Sequence, residues 1–338
     1  MDRELLWTRA RIIRQTRAFF DGRAYLEVDT PLLAPNLIPE SCLEVFETAY
    51  LPPFLSKNRK DRQYWLVPSP EIWMKQLIAD HGVSLYQICK CFRNGESLGR
   101  LHSPEFTMLE YYTMDADYRD SLQVTEDLFQ YLLEGLSEPE RSALAPPFLR
   151  ITLEEAFSRW AGFSLFDAAE QGTLEEEARR LGLEPPQGMN QGDLYNLIFV
   201  HAVEPRLPQD RAVALMDYPA FVPCLAKQDP QGKTVERWEL YVRGIELANC
   251  YSEEADPQRV REYFTAEGAR KAQAALVPHR IDADYWQVFL PRRDAQGRIR
   301  PFPPCSGVAL GLDRLIMALT GRSTIDGVLP FPMEPRLD

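Results

Sequence analysis

Two strand-like segments joined by a long polar loop constrain the fold most strongly. Residues 85–93 and 105–113 are rich in β-branched, aromatic and apolar residues, and the 11 residues between them, NGESLGRLHSP, are polar and turn-prone. The pattern predicts two antiparallel strands with a long loop. Strands in hairpins, mixed with long helical patterns elsewhere in the chain, favour an α+β fold with an antiparallel sheet over a doubly wound one.

Turn and capping residues predict where other elements begin and end. Ser69-Pro70-Glu71 has the form of a helix start and Gly82 of a helix stop. A second hairpin is predicted to turn at Arg243-Gly244, and Asp256-Pro257 opens another helix. Residues 312–320 form a last, buried helix.

Helical periodicity predicts several further helices. Residues 3–20 form an amphipathic helix with four side chains near one face, namely Leu6, Ala10, Ile13 and Phe20. Residues 118–136 are again helical, and the capping boxes Thr152-x-x-Glu155 and Thr173-x-x-Glu176 start more helices. We expect a helical insert over roughly residues 138–210 inside a single domain of residues 1–338, because no Gly/Ser linker flanks it.

Charge and cysteine usage narrow the class of protein. With 38 Lys and Arg against 50 Asp and Glu, the net charge is −12, which argues against a general polyanion binder. The 6 cysteines form no CxxC pair and predict reduced thiols. Neither a signal peptide nor an apolar run of about 20 residues is evident, so we expect a cytoplasmic protein without membrane contact.

The first hairpin offers polar groups for an anionic ligand. Period-2 alternation puts four side chains of its second strand on one face, namely Phe106, Met108, Glu110 and Tyr112. The preceding loop supplies Arg93, Asn94, Glu96, Arg100 and His102. Neither a GxxxxGK[ST] loop nor GxGxxG after a strand occurs, so phosphates would need arginines instead. A half-exposed sheet face and a solvated loop explain these residues nearly as well.

The second hairpin carries alternating acids. Glu239 and Glu246 are carboxylates that could share a magnesium ion. Asn249, Tyr251 and Glu253 alternate onto one face, whereas Glu246 and Asn249 have opposite parity. A β-bulge near Ala248 is therefore required if both serve one site.

Five segments resemble the motifs of one enzyme family. CFRNGESLGRLHSPEFTMLEYY and GVALGLDRLIMAL resemble motifs 2 and 3 of class II aminoacyl-tRNA synthetases, and LEVDTPLL resembles motif 1. VPSPEIWMKQLI and ERWELYVRGIELANCYSE narrow the resemblance to the lysyl branch, and the similarity runs from Arg9 to Thr320. The resemblance implies an antiparallel sheet flanked by helices, a homodimer built around motif 1, and adenylate formation from ATP and an amino acid.

The same resemblance implies roles for individual residues. ATP would be bound by Arg93, Asn94, Glu96, His102, Ser103, Phe106, Glu246, Leu247, Gly311 and Arg314. Arg93 would hold the α-phosphate and the substrate carboxylate, Arg314 would grip the γ-phosphate, and both are the expected catalytic residues. Glu239 and Glu246 would bind Mg²⁺.

The amino acid would be lysine or an isomer of it. The resemblance assigns its pocket to Ser69, Glu71, Glu110, Tyr112, Asn249, Tyr251, Glu253 and Ala309. Glu71 would serve the α-amino end, Asn249 the carboxylate, and Glu110, Tyr112 and Glu253 the distal ammonium. Elementary electrostatics agrees, because a buried ammonium without paired carboxylates would cost several kcal/mol.

The start of the chain and the pocket residues suggest a particular branch of the family. Motif 1 begins almost at the first residue, so we expect no anticodon-binding domain and no anticodon reading of tRNA. The chain then resembles the truncated paralogues that ligate (R)-β-lysine to a lysine of elongation factor P. Ala309 stands where tRNA-charging relatives have glycine and these ligases have alanine. Two departures are the extra residue in Arg93-Asn94-Gly95-Glu96 and Cys250 in place of glycine, which we expect to narrow the pocket beside Asn249 and Tyr251.

Two rival functions use the same sequence features. One is an amino-acid ligase of small-molecule metabolism on the same core, and the other is a regulatory paralogue that binds ligand without catalysis. The acid-rich pocket suits a cation better than aspartate, which speaks against the first. Arg93, Glu239, Glu246 and Arg314 are retained, and a sensor is expected to lose them first.

Overall fold

The structure is a computed structural model, and it describes residues 3–51, 62–96, 98–134, 143–293 and 297–333. The chain divides into two compact units. The first unit comprises Met1–Ala116 and Glu254–Asp338, and the second comprises Asp117–Glu253.

The α-helices follow one another along the chain in this order: α1 (Arg3–Asp21), α2 (Glu71–His81), α3 (Tyr118–Leu132), α4 (Leu153–Ala156), α5 (Leu165–Gln171), α6 (Leu174–Arg180), α7 (Gln191–Ile198), α8 (Pro257–Ala274) and α9 (Leu312–Leu319). Short π-helical segments, Phe157–Ala161 and Phe199–Val203, continue α4 and α7.

The strands are β1 (Leu26–Glu27), β2 (Leu33–Ala34), β3 (Glu47–Ala49), β4 (Gln63–Leu66), β5 (Leu85–Phe92), β6 (Glu105–Met114), β7 (Leu149–Thr152), β8 (Val213–Pro219), β9 (Thr234–Val242), β10 (Ile245–Ser252), β11 (Arg292–Arg293), β12 (Ile299–Arg300) and β13 (Cys305–Gly311).

The first unit is built on a sheet with strands in the order β1-β5-β6-β13. The β5/β6 and β6/β13 pairs are antiparallel, which confirms the predicted hairpin and the α+β antiparallel fold class. The edge strand β1 runs parallel to β5, an arrangement that the sequence did not predict. A small sheet, β2-β4-β3, and the β11/β12 pair complete this unit.

Helix α1 covers one face of this sheet. Phe20 stacks on Tyr86 at 4.9 Å between ring centroids and lies 4.8 Å from Tyr111, the cross-strand partner of Tyr86. At the other end, buried Arg9 pairs with Asp313 at 2.6 Å and donates to the Thr107 hydroxyl at 3.0 Å. The opposite face, which carries Glu110, is therefore the one that can hold a ligand, because neighbouring residues on a strand point to opposite faces.

The buried stripe of α1 differs from the predicted one. Of the four predicted side chains Phe20 is fully buried, whereas Leu6 is 44% exposed and its neighbour Leu5 is buried instead. Along most of the helix the predicted face is displaced by one residue, because the true stripe also contains Arg9 and Thr16, two polar side chains whose burial is possible only through their tertiary or helical partners.

In the second unit, four strands lie side by side in the order β10-β9-β8-β7. The β9/β10 hairpin turns at Arg243 and Gly244, whose φ angles of 51° and 71° match the left-handed turn that Gly favours, so the predicted turn is confirmed. Between β7 and β8 the chain is helical from α4 to α7, and these helices pack around a core that includes Phe157, Ile198 and Val203.

Most predicted helix boundaries are confirmed. Gly82 ends α2 with a φ of 59°, and the Asp256 side chain accepts a hydrogen bond from the Gln258 backbone at the start of α8. The capping box of Thr152 and Glu155 forms with both of its bonds. The box predicted at Thr173 does not form, because Thr173 lies outside the extended region that an N-cap side chain needs and makes no capping bond.

Within the described residues, no helix is long and apolar enough to cross a membrane.

Candidate active site

The predicted site residues of the first unit lie in rows across its sheet. Glu110 on β6 is directly opposite Gln87 on β5 and Ala309 on β13. The next row places Met108 between Cys89 and Gly311. Directly opposite residues share a face of the sheet, so the predicted alternation along β6 is confirmed and one face carries a continuous row of polar and small groups.

Glu110 is the acid of the row that it forms with Gln87 and Ala309, and it is deeply buried. It is 2% exposed, and its two carboxylate oxygens accept hydrogen bonds from Ser69 at 2.6 Å and Tyr112 at 2.8 Å. Burial, and next to it the negative charge of Glu71, raise the pKa of Glu110 to about 7. The group is thus poised between its neutral and charged forms near neutral pH, and a bound cation would ionise it.

Glu71 at the start of α2 has a partner that the sequence motifs do not indicate. Lys75, one turn later on the helix, is fully buried and forms a salt bridge with the Glu71 carboxylate. The Ser69 hydroxyl accepts a hydrogen bond from the Glu71 backbone at 3.1 Å and so ties this helix start to Glu110. The spacing of four residues between Glu71 and Lys75 was the available signal.

An arginine and an aromatic ring lie together at the other end of β6. The guanidinium of Arg93 is 5.2 Å from the centroid of the Phe106 ring, and the Arg93 backbone donates to Pro104 at 2.9 Å. Phe106 is only half-buried, so its ring can still stack on a planar ligand. The buried Nε of Arg93 has no hydrogen-bond partner among the described residues.

A positive field surrounds His102 in the loop between β5 and β6. Burial, followed by the charge of Arg314, lowers the pKa of His102, while Glu96 at 3.6 Å acts in the opposite direction. Arg314 on α9 donates through Nε to the carbonyl of Leu101 at 3.1 Å, which holds the loop against the helix. Two arginines, Arg93 and Arg314, therefore act on one imidazole, and such a field suits an anionic ligand.

The remaining predicted residues of this loop have structural contacts. Asn94 donates through its side chain to Val45 at 3.2 Å and accepts from the Gly95 backbone at 2.9 Å. Gly95 has a φ of 72°, a conformation that glycine adopts without strain. Ser103 is buried, and Gly311 is the residue that precedes α9.

The second unit contains the predicted β-bulge. Glu246 is opposite Tyr241 and Ala248 is opposite Leu240, so Leu247 is the additional residue in the ladder. The bulge restores parity and puts Asn249, which is opposite Glu239, on the same face as Glu246. The structure confirms the bulge that joint use of Glu246 and Asn249 required.

Glu239 is held by two neighbours on its own strand. It accepts hydrogen bonds from Arg237 at 2.5 Å and from Tyr241 at 2.7 Å, one on each carboxylate oxygen. Burial and the charge of Glu239 raise the pKa of Tyr241 well above its usual value, so this phenol remains a donor. Carboxylates are suitable magnesium ligands, and the side chain of Glu246 is of this kind. Glu239 is less suited to bind the ion, because both of its carboxylate oxygens already accept hydrogen bonds from Arg237 and Tyr241.

The other residues of the second unit that are predicted to bind the substrate lie along β10 or just after it. The buried Oδ1 of Asn249 has no hydrogen-bond partner among the described residues. Tyr251 is opposite Arg237, and Glu253, 5% exposed, forms a bridge with Ala226. An unsatisfied buried acceptor costs free energy, so Asn249 has the character of a ligand-binding group.

Cys250 does not have the position expected from the sequence. It is fully buried and lies opposite Trp238, on the face of β10 opposite to that of Asn249 and Tyr251. The expectation that it narrows the pocket beside those two residues is wrong, because neighbours along a strand point to opposite faces.

Comparison with known proteins identifies the family. The family model described as tRNA synthetases class II (D, K and N) matches residues 2–335, and the chain belongs to this family. The match spans both units, and the strands that carry the acids, arginines and Phe106 are parts of it.

Several curated relatives are similar over nearly the whole chain. The chain is 35% identical, over 98% of its length and 96% of the relative, to a protein of Avibacterium paragallinarum named elongation factor P–(R)-β-lysine ligase. A protein of Histophilus somni (strain 2336) with the same name is 34% identical over 97% of the chain and 95% of the relative. A lysine–tRNA ligase of Moorella thermoacetica is 34% identical over 99% of the chain and 66% of that protein.

Proposed function

We propose that this chain activates (R)-β-lysine, or lysine, with ATP and transfers it to a lysine side chain of elongation factor P. Membership of the class II family supports adenylate formation, and the names of the relatives that match end to end support the acceptor. The observation that carries the proposal is the row of buried Glu110 and half-buried Ala309, with Ser69 and Tyr112 donating to the carboxylate.

That row suits the distal ammonium of a lysine-like substrate. In the absence of a cation, burial keeps the pKa of Glu110 at about 7, so desolvation opposes its charge. An ammonium group placed beside it supplies the missing positive charge and replaces the lost hydration. Asn249, Tyr251 and Glu253, on the second unit, are further residues proposed to bind the substrate, with Asn249 on its carboxylate.

Arg93 and Phe106 are proposed to orient the nucleotide. Phe106 stacks on adenine, and Arg93 bridges the α-phosphate and the substrate carboxylate, which brings the two reacting groups together. Asn94, Glu96, His102 and Ser103 surround the bound ATP. The Arg93 guanidinium lies 5.2 Å from the centroid of the Phe106 ring. This proximity supports the assignment, because one group is proposed to bind the phosphate and the other to stack on the adenine of the same nucleotide.

The proposed reaction has two balanced steps. The substrate carboxylate oxygen attacks the α-phosphorus, the bond to the β-phosphate oxygen breaks, and pyrophosphate leaves while Arg314 neutralises its charge. The neutral acceptor amine then attacks the adenylate carbonyl, its nitrogen gives up one proton to solvent as the amide forms, and AMP leaves with the bonding electron pair of the carbonyl–oxygen bond. Mg²⁺, when bound, would supply charge neutralisation at the phosphates, and Glu246 with Glu239 are the residues proposed to hold it.

We propose a homodimer that forms around α1. Next to the buried stripe, Leu6 and Trp7 are 44% and 60% exposed, which is unusual for two large apolar side chains in adjacent positions. Sedimentation velocity of the wild-type protein and of Trp7→Glu tests this, because the substitution should shift a dimer to monomer. The proposed substrates, ATP and a translation factor, are cytoplasmic, and we propose that location.

Pyrophosphate exchange tests the proposed activity directly. Exchange that depends on (R)-β-lysine or lysine, and not on aspartate, would support the proposal and exclude an aspartate-dependent ligase. Ligand binding without exchange would indicate a regulatory paralogue. A tRNA-charging function is the second candidate, since the Moorella relative has that name.

A further inference from the structure

Residues 35–46, which we name the acid loop, are fixed to α8 and the segment that follows it. Leu37 donates its backbone N–H to Arg280 at 2.9 Å, and Ser41 donates to the Glu267 carboxylate at 2.8 Å. The buried ammonium of Lys271 donates to the carbonyl of Leu43. Three long-range bonds of this kind leave the acid loop little freedom.

The end of the acid loop is joined to the start of the β5–β6 loop. Asn94 donates its backbone N–H to the Glu44 carbonyl at 2.9 Å, and the two residues form a β-bridge. The Glu44 carboxylate in turn accepts from the backbones of Leu276 at 3.1 Å and Val277 at 3.0 Å. The acid loop is thus positioned against the residue that follows Arg93.

Glu40 lies in the acid loop between Leu37 and Ser41, the two residues whose backbones bond to Arg280 and Glu267. It is half-buried, and burial followed by the negative charge of Glu71 raises its pKa to about 7, while Arg93 lowers it. The charged and titratable groups that act with it are Glu71, Arg93, Glu267, Lys271 and Cys42. The charges of Glu71 and Arg93 therefore both act on Glu40. Glu71 is proposed to bind the amino end of the substrate, and Arg93 is proposed to bind its carboxylate.

Glu40 differs from the other two carboxylates in its hydrogen bonds. Glu71 is neutralised by Lys75, and both oxygens of Glu110 accept hydroxyl donors. No hydrogen bond within the described residues reaches the Glu40 carboxylate. Among these three acids of the first unit, Glu40 is the one whose charge awaits a partner.

We infer that Glu40 is a substrate-binding residue, whose carboxylate pairs with the amino group nearest the substrate carboxylate. This inference rests on the proposed function and adds a residue that neither the motifs nor the relatives' names indicate. Arg93 is proposed to fix the substrate carboxylate, so an ammonium two or three bonds away lies near the acid loop, which is bridged to the residue after Arg93 by Glu44. Lys75 already compensates Glu71, which therefore orients this ammonium without supplying its main counter-charge.

The test compares substrates that differ in this amino group. Glu40→Gln and wild type are assayed by pyrophosphate exchange with (R)-β-lysine and lysine, and 6-aminohexanoate, which lacks the amino group in question, is measured as a competitive inhibitor. We expect Glu40→Gln to lower kcat/KM for the diamino acids by about tenfold to a hundredfold. The Ki of 6-aminohexanoate and the KM for ATP should change less than about twofold, because neither ligand uses Glu40.

Glu47→Gln is the matched control, because Glu47 is exposed on β3, just beyond the acid loop, and the substitution removes the same charge. Glu40→Asp should recover part of the lost activity. Unchanged kcat/KM in Glu40→Gln would overturn the inference, as would an equal loss for the diamino acids and 6-aminohexanoate, which indicates a distorted loop. Wild-type protein that activates neither diamino acid would refute the proposed function instead.

Discussion

The methyl group of Ala309 lies directly opposite the buried carboxylate of Glu110 across the β6/β13 pair. Cβ atoms in such positions are about 4.5–5.5 Å apart and share one face of the sheet. The methyl group therefore lies on the same face of the sheet as the carboxylate proposed to hold the distal ammonium. We propose that it also limits the space for the amino group nearest the substrate carboxylate, which is the group whose position differs between lysine isomers.

Ala309→Gly should raise the activation of α-lysine. The substitution removes the methyl group, and one such clash is worth about 1–3 kcal/mol, so kcat/KM for α-lysine should rise roughly tenfold to a few hundredfold. The KM for ATP should barely move. Pyrophosphate exchange with both lysine isomers measures the effect.

Cys250→Gly provides the control for that experiment. Since Cys250 faces Trp238 and not the pocket, its removal should leave the preference between isomers unchanged and combine additively with Ala309→Gly. It should lower thermal stability, because a buried side chain is lost. The isomer would have to be selected by other residues if the wild-type enzyme showed no preference between α-lysine and β-lysine, or if Ala309→Gly left that preference unchanged.

The KM for lysine should depend on pH below neutrality. The pKa of Glu110 and that of Glu40 are both raised to about 7, mainly by burial. Only the ionised carboxylates pair with an ammonium, so each contributes a rise in KM of about tenfold per pH unit below about 7, up to about a hundredfold for the two together, and KM should level off above pH 7. Initial rates from pH 5.5 to 8.5 test this.

Glu110→Gln makes the pH experiment specific. This variant should bind lysine weakly at every pH and show a shallower pH dependence, because one of the two titrating groups is gone. In the free protein, the raised carboxyl pKa values mean that the folded state still binds protons that the unfolded state has released. The free energy of unfolding should therefore decrease as the pH rises from about 4.5 to about 7. A KM that stays flat down to pH 5.5 would contradict the assignment.

The sequence predicted those parts of the fold that depend on local chemistry. Gly82 and Gly244 mark a helix end and a hairpin turn, where the backbone has the positive φ angle that glycine favours. The alternation of side chains along β6 predicted which of them share a face with Glu110. The bulge at Leu247 was predicted from a functional requirement, since Glu246 and Asn249 had to share a face. These features follow from short-range rules that a single chain displays directly.

The features that the sequence did not reveal depend on distant partners. Arg9 lies in the buried stripe of α1 only because Asp313 pairs with it. The spacing of apolar residues alone therefore does not predict which face of α1 is buried. Glu40 escaped notice because its position is set by bonds from the acid loop to Arg280, Glu267 and Lys271, far along the chain. Neither relationship has a local signature.

Glu239 and Glu246 should respond differently to removal of their charge. Glu239→Gln should abolish adenylate formation and also destabilise the protein, by about 1–3 kcal/mol, because it disturbs the buried bonds to Arg237 and Tyr241. Glu246→Gln should lower activity with little change in Tm. Thermal melting without ligands separates the two effects, and equal Tm values would show that the Glu239 bonds are not structural.

Arg314→Ala should lower kcat for adenylate formation at least a hundredfold while the fold is retained. The guanidinium acts on charge that develops only as pyrophosphate departs, so its loss falls on the transition state. Arg293→Ala, an exposed arginine that bonds the Gly297 carbonyl, is the control and should be neutral. Activity within tenfold of wild type would remove Arg314 from the γ-phosphate role.

Transfer RNA should be a poor acceptor. A net charge of −12 gives little general attraction for phosphates, so any nucleic-acid contact must be local. Aminoacylation of bulk tRNA with labelled lysine, compared with a full lysyl-tRNA synthetase in the same assay, measures this. Equal rates would favour the tRNA-charging alternative.

The mass of elongation factor P after incubation with this protein, ATP and (R)-β-lysine tests the central claim most directly. The account predicts an increase equal to one β-lysine residue, the free amino acid minus water, on a single lysine side chain, and no increase when ATP is omitted or Arg314→Ala replaces the wild type. An unchanged mass, under conditions in which the same preparation supports lysine-dependent pyrophosphate exchange, would contradict it.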